Sequence, residues 1–382
     1  MVGGPDRLPA PYRAAFLLFI ALFLALGLAD IDRSCPDAAD SAYLISADAV
    51  ARGLMPYRDF LAAHPPLIYL LGAPLAKLGA GVLPFRVFSL AVAAATGLLA
   101  WWLTRKVSGD GRTAFLAGAL TLFAPLGVFF TKSYLNDSLV SLVAAGAVVL
   151  LLAGGRRNTA FAGVLCILGT AVKLTFLPFL AVFSLYAIFC RRRSAGVFLA
   201  VALGGSLAAA LAFQALTGGA YLSDILGSQA SKGYSFTNFY EGLHRIWQMD
   251  WPLIIPAPLG IWFLIKRLKG RPEIFLLLGW LAAGLAALAT LPAEGHDTNL
   301  FIPAEPALAL LAALGIVGLS RSGSRLKVAA AVILLAVSVA AIAEKDRSFF
   351  FSSNETDTLM IVDAITGGTT VCQPVLVPGC YA

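Results

Sequence analysis

Charged residues are scarce in this sequence. Asp, Glu, Lys and Arg make up 13% of its 382 residues, whereas 59% are hydrophobic. A chain of this length would ordinarily suggest two or three soluble domains, and a composition so poor in charge overrides that expectation. There are only 3 histidines and 5 cysteines, and the cysteines lack metal-ligand spacing. Cys166 and Cys190 fall within or at the ends of apolar runs and read as packing residues. Cys35, Cys372 and Cys380 fall in polar segments; an oxidising compartment would permit a Cys372–Cys380 disulfide, the alternative being two free thiols. Internal repeats, low-complexity segments and basic-aromatic stripes are absent. The net charge of +7 is therefore no footprint of nucleic acid. Its basic residues sit in short clusters between apolar runs, as positive-inside loops do.

Apolar runs of about 20 residues fill the rest of the chain, long enough to cross the ~30 Å hydrocarbon core as helices. Spanning backbone must satisfy its own hydrogen bonds, which leaves helices or a closed barrel, and these runs are too long for barrel strands. The sequence thus predicts an all-α polytopic membrane protein. Five basic clusters set the path: Arg105-Lys106 with Arg112; Arg156-Arg157; Arg191 to Arg193; Lys266-Arg267 with Lys269 and Arg271; and Arg321 with Arg325 and Lys327. With all five on the cytoplasmic side, spans follow at 14–29, 84–104, 113–131, 138–153, two within 158–190 turning near Lys173, then 195–216, 251–265, 273–291, 299–318 and 326–343. That makes about eleven spans in a transmembrane domain of residues 1–343. The N-terminus is inside and a short tail, 344–382, is outside. The first run also fits a signal peptide cut after Gly27-Leu28-Ala29, and either reading sends Asp30 outward. Residues 65–80, with three prolines and Lys77, read as an interfacial or re-entrant helix. Residues 40–52 read as a second surface helix, its apolar stripe being Tyr43, Leu44, Ala47, Val50 and Ala51.

Acidic residues played no part in choosing that path. Even so, of the 21 only Asp6, Asp110 and Glu273 fall inside. Targeting does not produce such a bias, because Asp and Glu contribute little to topology. It points to chemistry, or a ligand, on the outer face. Six acids, Asp30, Asp32, Asp37, Asp40, Asp48 and Asp59, crowd into residues 30–71 together with His64, within the first outer loop, 30–83. The other sizeable outer loop is 217–250.

The order of features here resembles the GT-C superfamily of integral-membrane glycosyltransferases, in particular the bacterial branch related to protein O-mannosyltransferases and lipid A aminoarabinose transferases. The resemblance rests on Asp40 after the first span, Tyr43, Gly53, the turn Pro56-Tyr57-Arg58-Asp59-Phe60, His64-Pro65-Pro66-Leu67-Ile68-Tyr69, and Arg86 at the head of the next span. It continues in TKSYLNDSLVSL (131–142) with Asp137, in GTAVKLTFLPFL (169–180) and in FIPAEPALALLAALG (301–315). It covers 14–190 well and 290–318 loosely. Where many relatives carry Asp-Glu, this chain has Ala39-Asp40, with Asp37 three residues earlier.

That resemblance implies a GT-C-like bundle with surface helices in its first outer loop. It also implies sugar transfer from a polyprenyl-phosphate donor to a glycan, lipid or protein of the cell envelope. Asp40, Asp37 or Asp137 would be the general base, since the acceptor hydroxyl must lose a proton as it attacks the anomeric carbon. The transition state has oxocarbenium character. The departing lipid phosphate needs positive partners, for which Arg58, His64, Arg86, Lys132, Lys173, His244 and Arg245 are the outer-side candidates. Tyr43, Tyr57, Asp59, His296 and Asp297 are further substrate-contact candidates. Each has a plainer reading: Arg86 and Lys173 can snorkel, His64 can turn the chain before Pro65, and loop acids can simply be solvated. Lys173 carries most weight, because it interrupts an apolar stretch. Asp40 with Asp137 could hold a divalent cation through oxygen ligands. The competing functions are a flippase for a lipid-linked sugar and a non-catalytic scaffold. A flippase would place ionisable groups at the bilayer midplane, often between repeats, which this chain lacks.

Overall fold

The computed structural model describes residues 10–29, 31, 38–79 and 81–321, with isolated positions between 329 and 343. Asp37, Cys35, the tail and most of the expected last span lie outside the described residues. Those described form helices joined by short turns, and no named strand. The chain begins with α1 (Ala10–Ala29), α2 (Ala38–Ala51), α3 (Leu67–Ala76) and α4 (Leu83–Ser108). Next come α5 (Gly111–Leu122), α6 (Pro125–Phe130), α7 (Asn136–Ala153), α8 (Arg156–Val172) and α9 (Leu177–Cys190). After them are α10 (Arg192–Leu199), α11 (Gly205–Leu216), α12 (Ala220–Ala230) and α13 (Phe236–Ile254). The series closes with α14 (Ala257–Arg267), α15 (Glu273–Ala286) and α16 (Glu305–Ser320).

Six helical stretches among the described residues are long and apolar enough to cross a membrane, or seven if α13 and α14, bent by 45°, count as one broken span. The expected span 113–131 takes another form, whereas 158–190 turns near Lys173 as expected. The first is broken at Phe123-Ala124, where Pro125 opens α6: proline has no N–H to donate and clashes one turn back. The second is a hairpin of α8 and α9 that reverses at Lys173, whose backbone is extended (φ −158°, ψ 141°). α3 is 10 residues long, about 15 Å, or half a bilayer. α2 buries Tyr43, Leu44 and Ala47 and exposes Ile45, as its stripe predicts. Residues 217–250, expected as a loop, are mostly helical, in α12 and α13. The expected span 251–265 straddles the bend at Ile255-Pro256.

α16 sits at the centre. Together with the 3-10 turn that leads into it, it is 94% buried over its apolar window, against 17% for α1 and 11% for the α10–α11 rod at the periphery. In lipid, apolar side chains gain nothing by leaving solvent for a neighbouring helix, so association depends on close packing of small residues. α16 supplies Ala307, Ala309, Ala312, Ala313 and Gly315, all buried. A Cβ at Gly260 of α14 would lie 1.8 Å from the Leu311 carbonyl oxygen, so the two backbones touch there. α1 packs by Phe16 and Phe23 against Leu90 and Leu122, with Phe16 stacked on Trp101 at 5.3 Å.

The basic loops share one end of the bundle. Arg267 donates to the Val107 carbonyl at 3.1 Å, Arg321 pairs with Asp110 at 2.7 Å, and Arg191 donates to the Leu152 carbonyl at 3.2 Å. The opposite end gathers α2, α3, residues 131–137, Lys173 and the 231–235 and 291–299 turns.

Candidate functional site

Residues 131–137, the turn after α6 and the first two residues of α7, are buried without exception. This turn is the floor on which the first loop and the later turns meet. Asp40, 1% exposed, accepts from the Tyr134 backbone N–H at 2.7 Å. The Tyr134 hydroxyl donates to the Ile68 carbonyl of α3 at 2.7 Å. Asn136 donates to the Tyr43 hydroxyl at 2.8 Å. α2 and α3 are thus fastened to the floor by polar contacts as well as packing. Lys132 is buried in the same turn.

Asp137 opens α7 and is wholly buried. The Lys173 ammonium donates to both its oxygens, at 2.9 and 2.7 Å, and Asn299 donates to Oδ2 at 2.8 Å. Those donors enclose the carboxylate. Among the described residues no group of three or more His, Cys, Asp or Glu is placed to hold a metal, and both oxygens of Asp137 are occupied by Lys173.

His64 sits above this floor. Its ring lies 5.7 Å from Tyr43, and its backbone N–H donates to the Tyr69 hydroxyl at 3.3 Å. Burial, then the positive charges of Lys173 and Lys232, then His296, bring its pKa down to about 3, so the imidazole is neutral at physiological pH. His296 is similarly lowered to about 4, by burial first and Lys232 second. Its Nδ1 lies 2.6 Å from the Thr290 carbonyl and its Nε2 lies 2.7 Å from Lys232 Nζ. A carbonyl can only accept and an ammonium only donate, which assigns the proton to Nδ1 and the lone pair to Nε2.

The remaining sequence candidates are spread more widely. Tyr57 has φ 68°, a left-handed conformation unusual for an aromatic residue. Contacts hold it there: its N–H donates to the Phe60 carbonyl at 2.9 Å, its hydroxyl to the His64 carbonyl at 2.5 Å, and its ring meets Tyr221 edge-on at 5.0 Å. Tyr57 thereby ties the first loop to α12. Arg58 and Asp59 form an exposed pair at 2.9 Å; Arg58, together with the Met55 N–H, brings the Asp59 pKa down to about 2. Arg86, buried in α4, donates to the Ile31 carbonyl and anchors the exit of α1. His244 and Arg245 lie on the exposed side of α13; His244 contacts Gln248 at 2.8 Å and Arg245 faces Asp297 at 3.9 Å. The structure therefore brings Asp40, Tyr43, His64, Lys132, Asp137, Lys173 and His296 to one end of the bundle, while Arg58, Asp59, His244, Arg245 and Asp297 line its exposed rim. Sequence reasoning passed over Tyr134, Asn136, Lys232 and Asn299. Asn136 and Asn299 carry no charge to attract notice, and Lys232 lay in a polar stretch without a motif.

No family model matches this sequence, and no curated protein matches it. Solved structures do. ArnT from Cupriavidus metallidurans bound to undecaprenyl phosphate is 14% identical, with a TM-score of 0.64 over 92% of this chain and 77% of that one. The apo state of the same protein, also 14% identical, gives a TM-score of 0.61 over 93% and 77%. An Archaeoglobus fulgidus oligosaccharyltransferase in complex with zinc and sulfate, 14% identical, gives 0.56 over 92% of this chain and 57% of that one. All are GT-C glycosyltransferases. The chain has the GT-C fold, a polytopic helical membrane bundle.

Proposed function

We propose that this protein is an integral-membrane glycosyltransferase that takes a sugar from a polyprenyl-phosphate donor and passes it to a glycan, lipid or protein of the cell envelope. The observation that carries this reading is a fold shared, over nine-tenths of the chain, with a protein crystallised on undecaprenyl phosphate. In the reaction the acceptor oxygen bonds to the anomeric carbon, the bond from that carbon to phosphate breaks, and the lipid phosphate departs. Asp40 takes the acceptor proton; its hydrogen bond from Tyr134 holds the carboxylate in place. Asp137 is a positioning residue for Lys173, since both its oxygens are engaged. A single base without a second carboxylate nucleophile gives inversion at the anomeric carbon. The site end of the bundle faces the periplasm, and the basic loops face the cytoplasm.

Transfer of a labelled sugar from undecaprenyl-phosphate donors by purified protein tests this. Loss of a general base costs roughly 10²–10⁴-fold, so Asp40→Asn is expected to lose at least about 100-fold in rate while staying folded. Undiminished transfer would move the base to Asp37 or Asp137. A folded wild type that transfers from none of the donors would overturn the reading in favour of translocation or a scaffold role.

A further inference from the structure

A departing phosphate needs a cation with charge to spare, and several expected cations are already engaged. Arg58 is neutralised by Asp59 at 2.9 Å and Lys173 by Asp137 at 2.7 Å. Arg245 faces Asp297, and His64 is held neutral. Lys232 differs. It is partly buried, and its partner is the uncharged His296 imidazole at 2.7 Å. No carboxylate of the described residues lies within ion-pair distance of it; burial first, and then the like charge of Lys173, lower its pKa. One N–H is spent on the imidazole lone pair. Two N–H donors of the ammonium remain, and an anion seated on them would offset the repulsion from Lys173.

Its position is also well held. Lys232 lies in the turn between α12 and α13, which is clasped to the turn before α16. The Ser235 N–H donates to the Pro292 carbonyl at 2.8 Å and the Glu294 N–H to the Gly233 carbonyl at 2.9 Å. Tyr234 and Ala293 form a β-bridge between them. His296 is oriented in turn by Thr290. A charged donor set in advance loses little freedom when it meets its ligand. The charges of Lys232 and Lys173 both reach His64, and His296 touches Lys232 directly, so these groups converge on one place although they come from separate turns.

We propose that Lys232, oriented by His296, is the seat for a phosphate anion at this end of the bundle. The assignment of that anion to the donor's lipid phosphate rests on the glycosyltransferase reading; the seat itself does not.

Binding of undecaprenyl phosphate in detergent, with inorganic phosphate as competitor, tests the seat on the intact chain. A hydrogen bond to a charged group accounts for about 10- to 100-fold in affinity. Lys232→Gln is expected to weaken lipid binding by that factor, and Lys232→Arg, which keeps the charge, to stay within a few-fold of wild type. Thermal unfolding of both variants at the wild-type temperature would show that the loss is not misfolding. Competition by inorganic phosphate that disappears in Lys232→Gln supports a seat for the free anion; lipid binding that depends on Lys232 without such competition supports a seat for the lipid headgroup. Equal binding by wild type and Lys232→Gln overturns the seat and leaves the glycosyltransferase reading intact. Absence of binding in the wild type overturns the seat as well. Binding that depends on Lys232 in a protein that never transfers sugar keeps the seat and removes that reading.

Discussion

Asp137 and Lys173 meet at 2.7 Å with side-chain exposures of 0% and 9%. Taking two charges out of water costs several kcal/mol each, recovered only when the geometry is good and the remaining lone pairs are used. Both conditions hold here, because Lys173 reaches both oxygens and Asn299 adds a third bond. Removing one partner strands the other. Lys173→Met is expected to cost about 3–5 kcal/mol of stability, whereas Lys173→Met combined with Asp137→Leu should recover most of it. Thermal unfolding in detergent reads this directly; a single variant as stable as wild type would show that water reaches the pair. Each charge is conspicuous alone in the sequence, since each interrupts an apolar region. Their pairing is not, because 36 residues separate them.

At the scale of elements, the contact of α14 with α16 determines how closely the centre can pack. Gly260 faces the Leu311 carbonyl, and a Cβ at Gly315 would lie 2.6 Å from the Pro256 carbonyl oxygen. Backbone cannot yield as a side-chain tip can. Gly260→Leu should therefore cost at least the ~1–3 kcal/mol typical of overpacking and lower the yield of monodisperse protein. Gly196→Leu, with no heavy atom within 4 Å of its Cβ position, should change stability by no more than about 0.5 kcal/mol. Similar melting curves for both variants would contradict a tight crossing. The break between α5 and α6 is another element-level feature. Pro125 was visible in the sequence, yet the apolar run continued through it and read as one span.

For the whole molecule, the segregation of charge makes orientation testable. In an otherwise cysteine-free background, Arg58→Cys and Arg157→Cys place thiols at exposed positions near opposite ends of the bundle. A membrane-impermeant maleimide applied to intact cells with a permeable outer envelope should label position 58 at once and position 157 only after the inner membrane is opened. The reverse pattern would invert the orientation and move the proposed chemistry to the cytoplasm. The same segregation explains why the site could be sought at one end. Positive charge in loops is read during insertion, while acids are tolerated on either side and collect where they are used.

Sequence alone determined what is local. Long apolar runs specify membrane helices wherever they occur, because backbone in lipid must bond to itself. The brevity of 65–80, the amphipathic stripe of α2 and the reversal near Lys173 were legible for the same reason, being properties of a few consecutive residues. Tertiary structure decided which helix is central and which groups share the site. Apolar side chains are equally content against lipid or another helix, so hydropathy says nothing about lateral neighbours. The small residues of α16 and the Gly260 contact settle that instead. Asp40 with Tyr134, Asp137 with Lys173 and Asn299, and Lys232 with His296 are joined across 94, 36, 162 and 64 residues of sequence. Such pairings form because a buried polar group must find a partner in space, and only the packed bundle determines which partner lies within reach.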